Sequence, residues 1–163
     1  MKESGCRPYR KVVFAGTFDR LHEGHRHLLR TALRLGDKVA IGVTSDKMLE
    51  GKPNQEKIQS FEERRDAVLR FLEKENAIER AEIFPIDTVE GGADRMEDLD
   101  ALVVSDEIKV VQNAFRINDL RARNGLRRFH IIVVPRVRTT DGRPLSSSRL
   151  RNGESFDDTE LIY

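Results

Sequence analysis

The sequence predicts a doubly wound α/β domain, a single Rossmann-like unit with a five-stranded parallel sheet. Three observations carry that expectation. Short apolar, β-branched runs alternate along the chain with segments of helical apolar period, the pattern of strands buried on both faces and joined by helices. At 163 residues the chain is of one-domain size and long enough to bury a core. No internal repeat or low-complexity segment interrupts the alternation.

Residues 1–10 read as a loose lead-in to a domain over 11–153. Residues 11–15 are apolar and β-branched and end at Gly16, a first strand. From Gly24 the period changes. Leu28, Leu29, Ala32, Leu33 and Leu35 make a helical stripe, with Gly36 as terminator. Residues 39–43 are the second strand, and Thr44, Ser45 and Asp46 can cap a short helix to Glu50. Residues 51–59 read as a loop carrying Lys52 and Lys57. Ser60 with Glu63 three residues on is a capping box, opening a helix through Ala67, Val68, Phe71 and Leu72 to about Glu75. Residues 82–86 are a third strand. The acidic, glycine-bearing stretch 87–100 has room for one helical turn. Residues 101–104 are a fourth strand, 112–123 a helix stopped by Gly125, and 129–134 a fifth strand. A short helix covers 146–151, and the acidic tail 154–163 is expected to be mobile or peripherally docked.

With 29 basic and 28 acidic residues, net charge carries no signal for nucleic acid or membrane binding. Cys6 is the sole cysteine, which excludes an internal disulfide and a thiolate metal cluster. Residues 1–10 lack the apolar core of a signal peptide and no segment is apolar enough to span a bilayer, so a cytoplasmic location is expected. Between Arg121 and Arg151 nine arginines face one acid, Asp141, an excess of eight positive charges that suggests a surface for polyanions. RNA is the competing partner, but the segment lacks interleaved aromatics.

In doubly wound sheets ligands bind beyond the carboxyl ends of the strands, where the winding reverses. Gly16 to His25 leaves the first strand at that edge. Gly16 allows close approach of a phosphate, Thr17 offers a hydroxyl, and the helix starting near Gly24 points free N–H groups at an anion. The glycine-rich dinucleotide fingerprint and the P-loop are both missing. His22 and His25 can hydrogen-bond phosphate oxygens and stabilise growing charge. They can equally be capping or surface residues, or with His27 a metal pair, although no carboxylate or cysteine completes a ligand set. Ser146, Ser147 and Ser148 put three hydroxyls at a helix start, followed by Arg149 and Arg151, a second anion element or a plain serine cap.

Gly-Thr-Phe-Asp at 16–19 followed by His-x-Gly-His at 22–25 resembles the signature of the nucleotidyltransferase superfamily that includes cytidylyltransferases and adenylyltransferases. The resemblance implies that His22 and His25 contact nucleotide phosphates, that His25 is the principal catalytic residue, and that Thr17 binds at the reacting phosphate. Gly16 and Phe18 would join the nucleotide site. So would Ser146, Ser147, Ser148 and Arg149, which match an Ile-Ser-Ser-Thr/Ser-x-Ile-Arg-like segment. Lys52 or Lys57 would bridge the phosphates of both substrates.

Farther along, Gly42–Asp46, Phe61–Arg64, Leu102–Glu107, Ile117–Arg121 and Asn124–Leu126 resemble the archaeal and eukaryotic type of phosphopantetheine adenylyltransferase. That likeness implies transfer of AMP from ATP to 4′-phosphopantetheine, giving dephospho-coenzyme A and pyrophosphate, with Mg²⁺ as cofactor, no metal ligands from the protein, and no nucleic-acid or membrane partner. Thr17, Asp19, Ser105, Asn118 and Arg121 would bind the acceptor. The chain departs from the family at Ile108, commonly threonine, at Thr88–Gly92, which lacks a proline pattern, and at Ser148, often threonine. Rival readings are an FMN adenylyltransferase, a glycerol-phosphate cytidylyltransferase, or a non-catalytic nucleotide sensor. Nothing indicates an oligomeric state.

Overall fold

In the computed structural model, which describes residues 6–163, five parallel strands alternate with helices. They are β1 (Tyr9–Gly16), β2 (Gly36–Thr44), β3 (Ala81–Ile86), β4 (Ala101–Ser105) and β5 (His130–Val134). The helices are α1 (Glu23–Leu35), α2 (Phe61–Lys74), α3 (Ile108–Arg123) and the short α4 (Ser147–Arg151). Strand order is β3-β2-β1-β4-β5. The chain winds outward from β1 to β3, then returns to place β4 on the other side of β1. The winding reverses between β1 and β4, and a crevice forms at their carboxyl ends.

Alternation along the strands divides two cores. Val12, Phe14, Val39, Ile41, Val43 and Val103 pack under α1 and α2 through Leu29, Leu33, Val68 and Leu72. Val13, Ala40, Leu102 and Val104 point to the opposite face, against Ala114 and Ile117 of α3 and against Ala93 and Leu99 of the 87–100 segment. Both faces are covered, which is why the strands read as continuous apolar runs.

The Ser60–Glu63 capping box forms with both bonds, Glu63 N–H to Ser60 Oγ at 3.2 Å and Ser60 N–H to Glu63 Oε2 at 3.0 Å. Other local expectations change. Gly36 is no left-handed terminator: its φ is −116°, the extended start of β2. It is glycine because a Cβ would lie 2.8 Å from Val12 Cγ2. The short helix after β2 is a single 3₁₀ turn, Lys47–Leu49, with Ser45 Oγ accepting from Met48 N–H at 3.1 Å. Segment 87–100 holds turns and no helix. Helix α3 starts four residues before the expected 112, at Ile108. Its first turn is β-branched, and Glu107 gives no side-chain cap to mark it.

The acidic tail is ordered into the fold. Strand β7 (Leu161–Ile162) pairs antiparallel with β6 (Arg138–Thr139), and Tyr163 meets the His27 ring edge-on at 5.4 Å. An acid-rich composition concealed that Leu-Ile-Tyr end. Residues 1–5 of the expected lead-in lie outside the described residues, and β1 already starts at Tyr9. The arginine-rich 121–151 stretch is not a free cationic face. Arg127 pairs with Asp100, Arg136 and Arg138 with Asp106, Arg143 and Arg149 with Asp141 and Glu154, and Arg151 with Asp19. Most of these acids come from elsewhere in the sequence, so folding offsets much of the local excess. Among the described residues no helix is long and apolar enough to cross a membrane.

Candidate active site at the sheet's switch point

A cavity of about 530 Å³ opens at the carboxyl ends of β1 and β4. One half is polar. Gly16, Thr17, His22 and His25 come from the turn after β1 and the start of α1, and α4 brings Ser146 and Ser147 from the far end of the chain. The other half is an apolar slot between the sheet and α3, walled by Val13, Phe84, Leu102, Val110 and Ile117, with Asn113 in its lining. Small residues on the sheet leave that room: Ala15 and Gly42 are register partners, and a Cβ on Gly42 would stand 3.3 Å from that of Ala15. Lys52, Ser105 and Arg136 complete the wall.

The turn is built under strain. Phe18 and Arg20 both have left-handed backbone, φ 57° and 50°, a conformation that costs a non-glycine residue about 1–2 kcal/mol. Burial holds it in place. The Phe18 ring is fully enclosed, edge-on to Phe14 at 5.4 Å and beside His25 at 5.5 Å. Asp19, 1 % exposed, accepts from Gln59 N–H at 2.8 Å and from Arg151 at 2.5 Å.

His22 caps α1, its Nδ1 accepting from Gly24 N–H at 3.0 Å, while His25 Nδ1 accepts from His22 N–H at 3.2 Å. This reciprocal cap stacks the rings with centroids 3.8 Å apart. It also settles the tautomers. With both Nδ1 atoms accepting, both rings carry their proton on Nε2 and offer it as a donor. Burial first, then the Arg26 charge, lowers His22 to about 4 against a partial counterweight from Asp19 and Glu23. Burial, then His22 and Arg26, holds His25 well below the usual histidine range. Both imidazoles are therefore neutral near pH 7.

The expected site residues divide. Gly16, Thr17, His22, His25, Lys52, Ser105, Ser146 and Ser147 meet on the one cavity. Phe18 and Asp19 do not line it, because they are the buried underside of the turn. Lys57 is also absent from the lining: it is an exposed loop residue whose carbonyl accepts from Arg20. Ser148 is exposed and accepts from Arg151 at 3.0 Å. Arg149 is buried against Glu154 and Thr139 and lies 4.4 Å over the Phe156 ring. Asn118 is taken up by the Phe129 backbone, donating and accepting at 2.9 Å. Arg121 is fully buried and donates to the carbonyls of Ala93, Met96 and Arg127. Asn118 and Arg121 thus hold the slot's outer wall from behind and do not face its interior. The slot residues Val110 and Asn113 escaped sequence reading, and Ile117 figures there only as the first residue of the 117–121 stretch. Their spacing along α3 marks one helical face once the helix is started at Ile108.

The chain matches the family described as Cytidylyltransferase-like over residues 13–153. It is 48 % identical over 145 residues to a phosphopantetheine adenylyltransferase of Methanopyrus kandleri, covering 88 % of this chain and 89 % of that one. A phosphopantetheine adenylyltransferase of Thermococcus gammatolerans is 42 % identical over 147 residues, covering 90 % and 91 % of the two chains. Among solved structures, a protein of unknown function from Archaeoglobus fulgidus superposes with a TM-score of 0.67 at 34 % identity, covering 76 % of this chain and 88 % of that one.

Proposed function

The chain belongs to the cytidylyltransferase-like family, and from that membership and its relatives we infer a phosphopantetheine adenylyltransferase: AMP passes from ATP to 4′-phosphopantetheine, giving dephospho-coenzyme A and pyrophosphate. One observation supports the reading most. The polar end of the cavity, which holds the two histidines, is continuous with an apolar slot between the sheet and α3. Glycerol phosphate would leave that slot empty.

A phosphate oxygen of the acceptor attacks the α-phosphorus of ATP in line, the bond to the pyrophosphate oxygen breaks, and pyrophosphate leaves. A phosphomonoester is anionic at neutral pH, so no strong base is required. His25 and His22 contribute neutral Nε2–H donors, Thr17 a hydroxyl at the reacting phosphate, and Lys52 a mobile charge reaching both substrates. The wall position of Lys52 favours it over Lys57 for that role. The Ser146 hydroxyl and the Ser147 backbone N–H take the leaving phosphates, the Ser147 hydroxyl being engaged by the Asp19 carbonyl. Among the described residues no group of three or more His, Cys, Asp or Glu could hold a metal ion. This donor set fits a Mg²⁺ that travels on the nucleotide phosphates, where it would offset their charge. A cytoplasmic location accompanies the reading, since ATP is the donor.

The test is pyrophosphate release by purified protein with Mg²⁺, pairing ATP or CTP with phosphopantetheine, FMN, nicotinamide mononucleotide or glycerol phosphate. Release with ATP and phosphopantetheine is expected. Release with CTP alone, or with FMN alone, would overturn the substrate assignment, and none with any pair would make the chain a binding module.

A further inference from the structure

Arg64 of α2 is fully buried beneath the site and lines no part of the cavity. Its guanidinium reaches four residues, three through their backbone carbonyls and one through its carboxylate. Nη1 donates to the Thr17 carbonyl at 2.9 Å, to the Thr44 carbonyl at 2.7 Å and to Thr44 Oγ1 at 3.2 Å. Nη2 donates to Asp46 Oδ1 at 3.0 Å, and Nε to the Gln59 carbonyl at 2.9 Å. Nη1 therefore shares two hydrogens among three acceptors, a convergence that only a rigid planar fork can satisfy.

Those acceptors have a pattern. Thr17 directly follows β1 and opens the candidate phosphate turn, and Thr44 ends β2 beside it. Asp46 and Gln59 are the two ends of the exposed loop that bears Lys52. Asp46 Oδ1 also accepts from Phe61 N–H at 3.0 Å, and Gln59 N–H donates to Asp19 at 2.8 Å, so both loop ends are pinned on the same buried point. Between the pins the chain takes left-handed backbone at Gly51 and Asn54, and residues 50–57 are exposed.

Building on the adenylyltransferase reading, we propose that Arg64 is a positioning residue that fixes Thr17 and the Lys52 loop relative to each other, and so sets the geometry of transfer without touching either substrate. A misplacement of about 1 Å at such groups is enough to cost on the order of 100-fold in rate. Lysine keeps the charge but loses the fork, and cannot bind all four residues.

The test compares Arg64→Lys with wild type well below its melting temperature, where far-ultraviolet circular dichroism shows both folded. Expected is a fall in kcat of about 100-fold with the KM for ATP within threefold. In a Lys52→Ala background the same substitution should cost less than about tenfold, because its effect passes through Lys52. A kcat within threefold of wild type, or the full loss again in the Lys52→Ala background, overturns the proposal. If Arg64→Lys fails to fold, Asp46→Ala serves, since that side chain is largely exposed and its loss frees one loop end. It should lower kcat at least tenfold, and unchanged kcat rejects the role. The activity assignment fails separately, if wild type releases no pyrophosphate with ATP and phosphopantetheine. Amide hydrogen exchange then reads Arg64 alone: faster exchange over 46–59 in Arg64→Lys upholds it, and unchanged exchange overturns it.

Discussion

Gly24 has a steric reason that the histidines themselves create. A Cβ there would lie 2.8 Å from Cε1 and 2.9 Å from Nδ1 of His22, well inside contact distance. Gly24→Ala should push the His22 ring off its stack with His25 and lower turnover at least tenfold, leaving circular dichroism unchanged; full activity would show that the stack is dispensable. Gly16 is different. A Cβ on it meets only the Phe18 ring at 3.5 Å, an ordinary contact, so the protein itself does not demand glycine there. His25→Ala should lower kcat by about 10²–10³-fold in the pyrophosphate assay with the fold intact, the scale of losing one preorganised donor. Turnover near wild type would remove His25 from the mechanism. The same histidines set a pH limit. In the folded protein the His22 pKa is depressed to about 4, whereas the unfolded chain titrates near 6.5. The unfolded state then binds the extra proton between those values, so the linked stability is complete above 6.5 and is lost as pH falls toward 4. The loss is up to about 1.4 kcal/mol per pH unit for each such histidine. Urea unfolding at pH 7.5, 6 and 5 measures it, and a flat profile would contradict neutral buried rings.

Helix α4 is too short to stand alone, and its attachment explains a residue whose role reads differently in sequence and structure. Asp19 belongs to the signature at 16–25, so sequence reasoning set it against the acceptor. In the fold its carboxylate is buried and paired with Arg151, and its carbonyl accepts from Ser147 Oγ at 2.7 Å. These bonds latch the serine helix onto the first turn across more than a hundred residues of chain, so the two candidate phosphate elements share one wall. Breaking a buried pair leaves a charge without its partner, a cost of about 3–5 kcal/mol. Arg151→Ala should therefore lower unfolding stability by that order, and Asp19→Asn with Arg151→Leu should recover part of it. A loss under about 1 kcal/mol in Arg151→Ala would mean that water reaches the carboxylate.

The sheet's topology assembles the site and also decides which parts of it were legible in sequence. Periodicity and caps located the five strands of the parallel sheet and three of the four helices closely, because burial on both faces writes itself into local pattern. The polar half of the cavity was legible for the same reason: a glycine, a threonine and two histidines lie within ten residues of one strand end. The apolar half was not. Val13, Phe84, Leu102 and Ile117 come from four elements and look like any core residue until β4 returns beside β1. Long-range pairs were equally hidden, which is why Asp19, Arg121 and Arg149 read as ligand contacts and fold as struts. If the cavity takes one substrate in each half, substitutions should separate by half. Asn113 is the half-buried polar member of the slot lining on α3, so Asn113→Phe fills the slot without entering the core. The KM for phosphopantetheine should rise at least tenfold while that for ATP stays within twofold. Steady-state kinetics with each substrate varied in turn decides it, and an equal rise in both constants would place both substrates in the polar half.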